Sequence, residues 1–158
     1  SRLKWYEEEI LCYDRALKIY PFYFTAILRK GIALIHLKRY REAIEVLDRA
    51  LAIEPESAKA LYRKGLALSM VGNHEEAVRS LEQALRLDPS IADAWVVLSN
   101  SCFLLGRLED SARAFDQAYY LDVKDVRFGV REGLSMLKTG RFDDALRCFS
   151  DVFGVLLR

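Results

Sequence analysis

Arg29, Arg63 and Arg131 fall at one position of a 34-residue period, with Val97 interrupting the row, and Lys30 and Lys64 stand beside the first two. A line of guanidinium groups at fixed spacing can form a cationic edge that holds acidic residues of a ligand through paired hydrogen bonds. The competing reading is a solvated or internally paired face. The remaining reactive residues are scattered. His36 and His74 have no glutamate or second histidine at metal or catalytic spacing and read as surface or packing residues. Cys12, Cys102 and Cys148 are odd in number and contain no Cys-x-x-Cys pair, so they indicate neither a disulfide framework nor a zinc site. All three read as small hydrophobes, in keeping with a reducing, cytoplasmic setting. Glu7, Glu8, Glu9, Asp143 and Asp144 read as acids at helix starts, where they complement the helix dipole. There is no glycine-rich phosphate loop, no Ser/His/Asp set and no pair of acids in an irregular loop. No catalytic centre, metal or cofactor is therefore expected.

The chain has 158 residues, of which 52% are hydrophobic, enough for a continuous core without metals or disulfides. Its 24 basic and 23 acidic side chains leave a net charge of +1, which gives no general attraction to nucleic acid or to an anionic membrane. Charged residues interrupt every apolar stretch well before the roughly 18 residues that span a bilayer.

What must position these residues is a repeat. Pro21, Pro55 and Pro89 are the only prolines, stand 34 residues apart, and each closes a similar segment: Ala-Leu-Lys-Ile-Tyr-Pro, Ala-Leu-Ala-Ile-Glu-Pro, Ala-Leu-Arg-Leu-Asp-Pro. Between them, Leu-Arg-Lys-Gly-Ile-Ala-Leu from Leu28 aligns with Tyr-Arg-Lys-Gly-Leu-Ala-Leu from Tyr62. Apolar residues at three- and four-residue spacing, as in Ala43, Val46, Leu47, Ala50 and Leu51, predict amphipathic helices. Each unit is a helix, a tight turn and a second helix. Gly72, Gly106 and Gly140 recur where the first helix must end, and Lys38 at the same place in the first full unit predicts a differently built turn there. Asn73 with Glu76 and Ser90 with Asp93 resemble capping boxes. Gly31, Gly65, Ser99 and Gly133 predict a close approach to Ala43, Ala77, Ser111 and Ala145 of the second helix.

On these residues the chain resembles the tetratricopeptide repeat family, whose period is 34 residues. The unit from Ala58 supplies Leu61, Gly65, Leu68, Ala77, Leu81, Ala84 and Pro89; the unit from Ala92 supplies Trp95, Leu98, Ser99, Cys102, Ser111, Phe115 and Ala118, with Val123 in place of the proline. The last unit departs most, with Gly129 where Trp95 or Leu61 would stand. The resemblance implies an all-α fold, a right-handed superhelical array, or α-solenoid, of antiparallel helix-turn-helix hairpins. Residues 1–23 read as the orphan second helix of a truncated repeat, followed by repeats at 24–57, 58–91 and 92–125 and a divergent one at 126–158, all in one continuous domain.

The resemblance also implies that the first helices line a concave face that binds a protein or peptide. Carried onto this sequence, the lining comprises Leu28, Ile32, Ile35, Tyr62, Leu66, Val96, Asn100, Phe103, Val130 and Leu134, mostly apolar, with Thr25, Lys59, Ser69, Asp93, Arg127 and Leu137 at the remaining places. Leu28, Ile32 and Leu66 stand where the family's carboxylate clamp would need cationic or amide groups. An amphipathic helix or an extended hydrophobic peptide suits such a face, unless the apolar residues are inter-helix core. Asn100 is placed to hydrogen-bond a ligand backbone or a partner within the array. A scaffold rather than an enzyme is expected, with self-association into a dimer or filament through apolar terminal helices or the groove as the alternative. The closing run Val152, Phe153, Val155, Leu156 and Leu157 is too apolar for a solvent-facing end and reads as a cover for further chain, another subunit or the groove. The related pentatricopeptide repeats bind RNA but have a longer period and more polar grooves.

Overall fold

The structure, a computed structural model, describes the backbone of residues 1–121 and 127–156, with side chains over 1–121 and 133–151. All regular structure among them is α-helical: α1 (Arg2–Ile19), α2 (Phe24–His36), α3 (Tyr40–Ile53), α4 (Ala58–Met70), α5 (His74–Leu87), α6 (Ala92–Leu104), α7 (Leu108–Tyr120), α8 (Arg127–Lys138) and α9 (Phe142–Leu156). Each helix packs on the next in the chain, and the first helices also meet across hairpin boundaries, α2 on α4 and α4 on α6. The result is an all-α solenoid. At the last boundary α6 meets α9.

The helices end where the backbone stops being able to continue. α1, α3 and α5 stop two residues before Pro21, Pro55 and Pro89, because the proline ring disfavours helical geometry in the residue ahead of it. Within each hairpin the first helix ends on a residue with positive φ: Gly72 at 87°, Gly106 at 76°, Gly140 at 75°, and Lys38 at 58°. The turn at Lys38 is therefore the same turn. Lys38 N–H donates to Ile35 O and Arg39 N–H to Leu34 O at 2.9 Å each, matching Gly72 to Ser69 at 3.1 Å and Asn73 to Leu68 at 3.0 Å. Closing these otherwise open carbonyls outweighs the side-chain strain of a left-handed lysine.

Helix starts show a further period. Asn73 accepts from Glu76 N–H at 3.4 Å and its side-chain amide donates to the Glu76 carboxylate at 3.0 Å, a reciprocal cap on α5 that differs from a capping box because the Asn73 N–H goes to Leu68 O. In the equivalent places Arg39, Arg107 and Arg141 grip the carboxylates of Glu42, Asp110 and Asp144. α4 is capped by Ser57, whose hydroxyl accepts from Ala60 N–H at 3.2 Å. Ser90 and Asp93 do not form a box. Ile91, not Ser90, stands at the cap position of α6, and the Asp88 carboxylate accepts from both the Ser90 N–H and its hydroxyl. Glu7, Glu8 and Glu9 are not start residues either, since α1 begins five residues earlier at Arg2; Asp143 and Asp144 do occupy the first turn of α9.

The hairpins close through small residues. A methyl group on Gly31 would lie 2.8 Å from Leu47, one on Gly65 2.6 Å from Leu81, and one on Gly133 1.6 Å from Phe149. Leu47, Leu81, Phe115 and Phe149 are fully buried behind them, and each contributes about 1.5–3 kcal/mol of burial. One cluster of buried residues runs from Ile10 of α1 to Ala114 of α7; a second joins Val96, Phe115, Ala118, Leu134, Ala145 and Phe149. Val123 and the side chains of Val152, Phe153, Val155, Leu156 and Leu157 lie outside the described residues.

Candidate functional site

The residues assigned to the inner face by sequence occupy α2, α4, α6 and α8 at regular spacing, but most are sealed. Leu28, Ile35, Tyr62 and Leu66 are buried in the first cluster, and Val96 and Leu134 in the second. Ile32 packs partly buried against the first cluster and Phe103 against the second. Their apolar area joins neighbouring helices, so little of it faces solvent. The side chains of Val130, Arg127 and Arg131 lie outside the described residues.

Polar groups stand out against this floor. Asn100 is only 7% exposed, and no hydrogen-bond partner is found for its amide among the described residues. Arg63 Nε is buried without a hydrogen bond, while its guanidinium carbon lies 5.1 Å from the ring centre of Tyr62. Burial pushes the Tyr62 hydroxyl up to about 12, so it stays a neutral donor. Arg63 also acts on both neighbouring first helices. Burial raises the Asp93 carboxyl and Arg63 pulls it back; burial lowers His36 and Arg63 lowers it further.

The basic row divides by role. Lys30 Nζ is 2.5 Å from Asp14, and Lys64 Nζ is 2.8 Å from Asp48 and 3.5 Å from Glu76. These lysines tie a first helix to the second helices beside it. Arg29 and Arg63 form no ion pair with any described residue.

Two sequence models described as tetratricopeptide repeat match the chain, over residues 22–90 and 62–125. The chain belongs to the tetratricopeptide repeat family. Among solved structures, this tetratricopeptide array is similar to MamA from Desulfovibrio magneticus RS-1 (residues 41 to end), with a TM-score of 0.77 and 24% identity over 94% of this chain and 84% of that one. It is also similar to the Sgt2 TPR domain from Aspergillus fumigatus, with a TM-score of 0.66 and 25% identity over 78% and 82% of the two chains. YrrB, described as a TPR protein with an unusual peptide-binding site, superposes with a TM-score of 0.73 and 19% identity over 98% and 80%. No curated protein sequence matches the chain significantly.

Some contacts of this tetratricopeptide array escaped sequence reasoning. The Ser101 hydroxyl donates to Ser69 at 3.1 Å and lies 3.4 Å from His74 Nδ1, so α4, α5 and α6 share a buried polar chain. His36 stacks on Tyr6 of α1 with ring centres 4.6 Å apart. Both histidines therefore pack. Phe149 of α9 stacks on Phe115 at 3.9 Å and meets Phe103 edge-on at 5.5 Å, which places the last helix against an assigned lining residue of α6. The only sequence signal was the aromatic character of Phe103, Phe115 and Phe149. Cys102 is buried, whereas Cys12 is exposed on α1 and does not behave as a small core hydrophobe. Among the described residues no group of three or more His, Cys, Asp or Glu is placed to hold a metal ion, and no helix is long and apolar enough to cross a membrane.

Proposed function

We propose that this array is a protein-interaction scaffold that holds a segment of a partner protein along the inner face of α2, α4 and α6. The observation that carries this reading is Arg63 Nε, buried and without a hydrogen bond. A buried donor left unpaired costs about 1–3 kcal/mol, and a carboxylate or backbone carbonyl of a bound segment would accept from it. Asn100, on the adjoining first helix α6 and without an internal partner, adds a donor and an acceptor for the backbone of the same segment. The inner-face residues Leu28, Ile32, Ile35, Tyr62, Leu66, Val96 and Phe103 then act chiefly as the floor beneath these polar contacts. Family membership supports the scaffold class, and the description of YrrB as having a peptide-binding site fits it.

The test is partner recovery by the intact protein, comparing wild type with Arg63→Glu and Asn100→Ala, and with Arg79→Glu on the outer face of α5 as a control. Both inner-face variants should lose partner while keeping the wild-type helical spectrum. Undiminished recovery by folded Arg63→Glu and Asn100→Ala would overturn the inner-face assignment.

Self-association is favoured by a separate observation. Ile19, Tyr20, Pro21, Phe22 and Tyr23 line an open apolar hollow of about 540 Å³ where α1 turns into α2, and Phe22 is 81% exposed. Light scattering across a dilution series, with Phe22→Ser beside wild type, tests it: a mass that stays monomeric at every concentration removes this reading.

A further inference from the structure

A second periodic device joins the helices, and in the third hairpin it is broken. In the second hairpin Lys64 rises from α4 between Asp48 of α3 and Glu76 of α5, and pins the two second helices across the first. Thirty-four residues on, the acids are kept as Glu82 and Asp110, but Leu98 stands in the lysine's place. Leu98 is 6% exposed and belongs to the core cluster. Beside Leu98 lies a cavity of about 360 Å³, lined by Leu85, Trp95, Leu98, Cys102 and Ala114 with Glu82, Arg86, Asp110 and Arg113 as its charged rim. That volume is within the roughly 300–1,000 Å³ of sites that hold small ligands or a large side chain.

The rim charges identify the occupant. Arg107, at the start of α7, lies 2.9 Å from Asp110 and 3.7 Å from Glu82, so one guanidinium serves both acids. Arg113 reaches only Glu109 at 3.6 Å and Asp110 at 3.9 Å, and its side chain is largely exposed. Arg86 on α5 has no ion pair with any described residue. Both rim acids are already engaged by arginines, so the charged rim residue left without an ion pair among the described residues is Arg86, at the mouth of an apolar hollow. We propose that this cavity between α5, α6 and α7 is a docking site for a partner segment carrying a large apolar side chain next to a carboxylate. The apolar group fills the space over Leu98 and Trp95, and the carboxylate accepts hydrogen bonds from Arg86. This surface is separate from the inner face, so a partner held there and one held here would not compete.

Titration of the intact, isotope-labelled protein with N-acetyl-L-phenylalanine, which carries a ring and a carboxylate, tests the site by NMR. The Trp95 indole N–H, which donates to Pro89 O at 2.8 Å, is the reporter, together with the amides of Leu98 and Cys102. The acid should shift these signals saturably. N-acetyl-L-phenylalanine amide, lacking the charge, and Arg86→Glu with the acid should each bind about tenfold more weakly, the loss of one charge-assisted hydrogen bond. Leu98→Lys should abolish the response while leaving the fold intact, because lysine is the native residue at this position in α2 and α4. Should that variant melt early, the exposed Arg86→Glu carries the test alone. Equal binding of acid and amide, preference for phenethylammonium, or a response that survives folded Leu98→Lys would each overturn the proposal; the last also in the event that the inner-face reading holds.

Discussion

The Ser99 hydroxyl donates to the Ser111 carbonyl at 2.7 Å, and the Ser111 hydroxyl donates to the Ser99 carbonyl at 2.9 Å. Ser99 stands where the other hairpins have glycine and Ser111 where they have alanine. Both hydroxyls are fully buried, so the third hairpin replaces a bare close approach by a reciprocal polar clasp. Removing one hydroxyl leaves the other with a single carbonyl route, and the net loss for a hydrogen bond is about 0.5–1.5 kcal/mol. Ser99→Ala and Ser111→Ala should each destabilise by about 1 kcal/mol, and the double variant by clearly less than their sum. Urea unfolding of the four proteins reads the coupling, and strict additivity would contradict the clasp.

The first turn of the array is strained in a way the others are not. Lys38 adopts φ 58° where Gly72, Gly106 and Gly140 take the same conformation without a side chain. Nothing in that turn uses the lysine side chain in an ion pair. Lys38→Gly should therefore stabilise the protein by up to about 1 kcal/mol, against the usual sign for a new glycine. Gly72→Ala should destabilise, although nothing lies within 4 Å of the added methyl, because its φ of 87° is costly for any side chain. A raised melting temperature for one and a lowered one for the other is the expected pair of results.

Gly65 tests the opposite case, a glycine kept for space rather than for dihedral freedom. Its missing methyl would sit 2.6 Å from Leu81 Cγ, and Leu81 is fully buried with nowhere to retreat. Alanine gains roughly 1 kcal/mol of helix propensity, while overpacking costs about 1–3 kcal/mol. The clash wins where the neighbour cannot move. Gly65→Ala should be destabilising, and Gly65→Leu should prevent the hairpin from closing. A Gly65→Ala protein more stable than wild type would show that Leu81 has room.

The hairpins, their turns and their small-residue seams were legible because they depend on one residue type at one register position, repeated every 34 residues. Gly65 facing Ala77 reads the same way whatever else surrounds it. The Lys38 turn was misread because glycine's advantage there was taken as a requirement, whereas two backbone hydrogen bonds suffice to hold a lysine. Inner-face burial was hard to read for another reason. Leu66 and Tyr62 have the same pattern whether they face solvent or the next first helix, and only the approach of α2 to α4 and α4 to α6 closes them off. The Leu98 cavity is visible only when three residues from three helices are compared at once, since neither Leu98 nor Glu82 nor Asp110 is unusual alone.

Both histidines are held below their ordinary titration range by burial, His36 with added repulsion from Arg63 and Arg2 against an opposing pull from Glu9. The folded chain thus releases these protons more readily than the unfolded chain. Their contribution to stability is full above the ordinary value of about 6.5 and is lost as the pH falls through the depressed folded values. Asp93, raised by burial, has the opposite sign, and its window lies lower, near the carboxylate range. The melting temperature should therefore fall between about pH 7.5 and pH 5.5, where unfolded histidine takes up its proton. His36→Phe, which keeps the stack on Tyr6, combined with His74→Gln should flatten that slope. An unchanged slope in the double variant would assign the pH response elsewhere.

Cys102 separates a buried thiol from an accessible one within the same chain. Burial pushes its pKa up to about 11, partly offset by Arg107, and leaves almost no thiolate near neutral pH. Because the thiolate is the nucleophile, Cys102 should react with an alkylating reagent only when α6 separates from its neighbours. Cys12, exposed on α1, needs no such opening. At about pH 8, below the raised value of Cys102, Cys12 should be labelled first and Cys102 at a rate that tracks stability. Peptide mapping after timed quenching distinguishes the two. Ser99→Ala should speed labelling of Cys102 by about fivefold, the effect of roughly 1 kcal/mol on the open population, and leave Cys12 unchanged. Equal rates at both sites in the folded protein would mean that the third hairpin opens far more often than its packing allows.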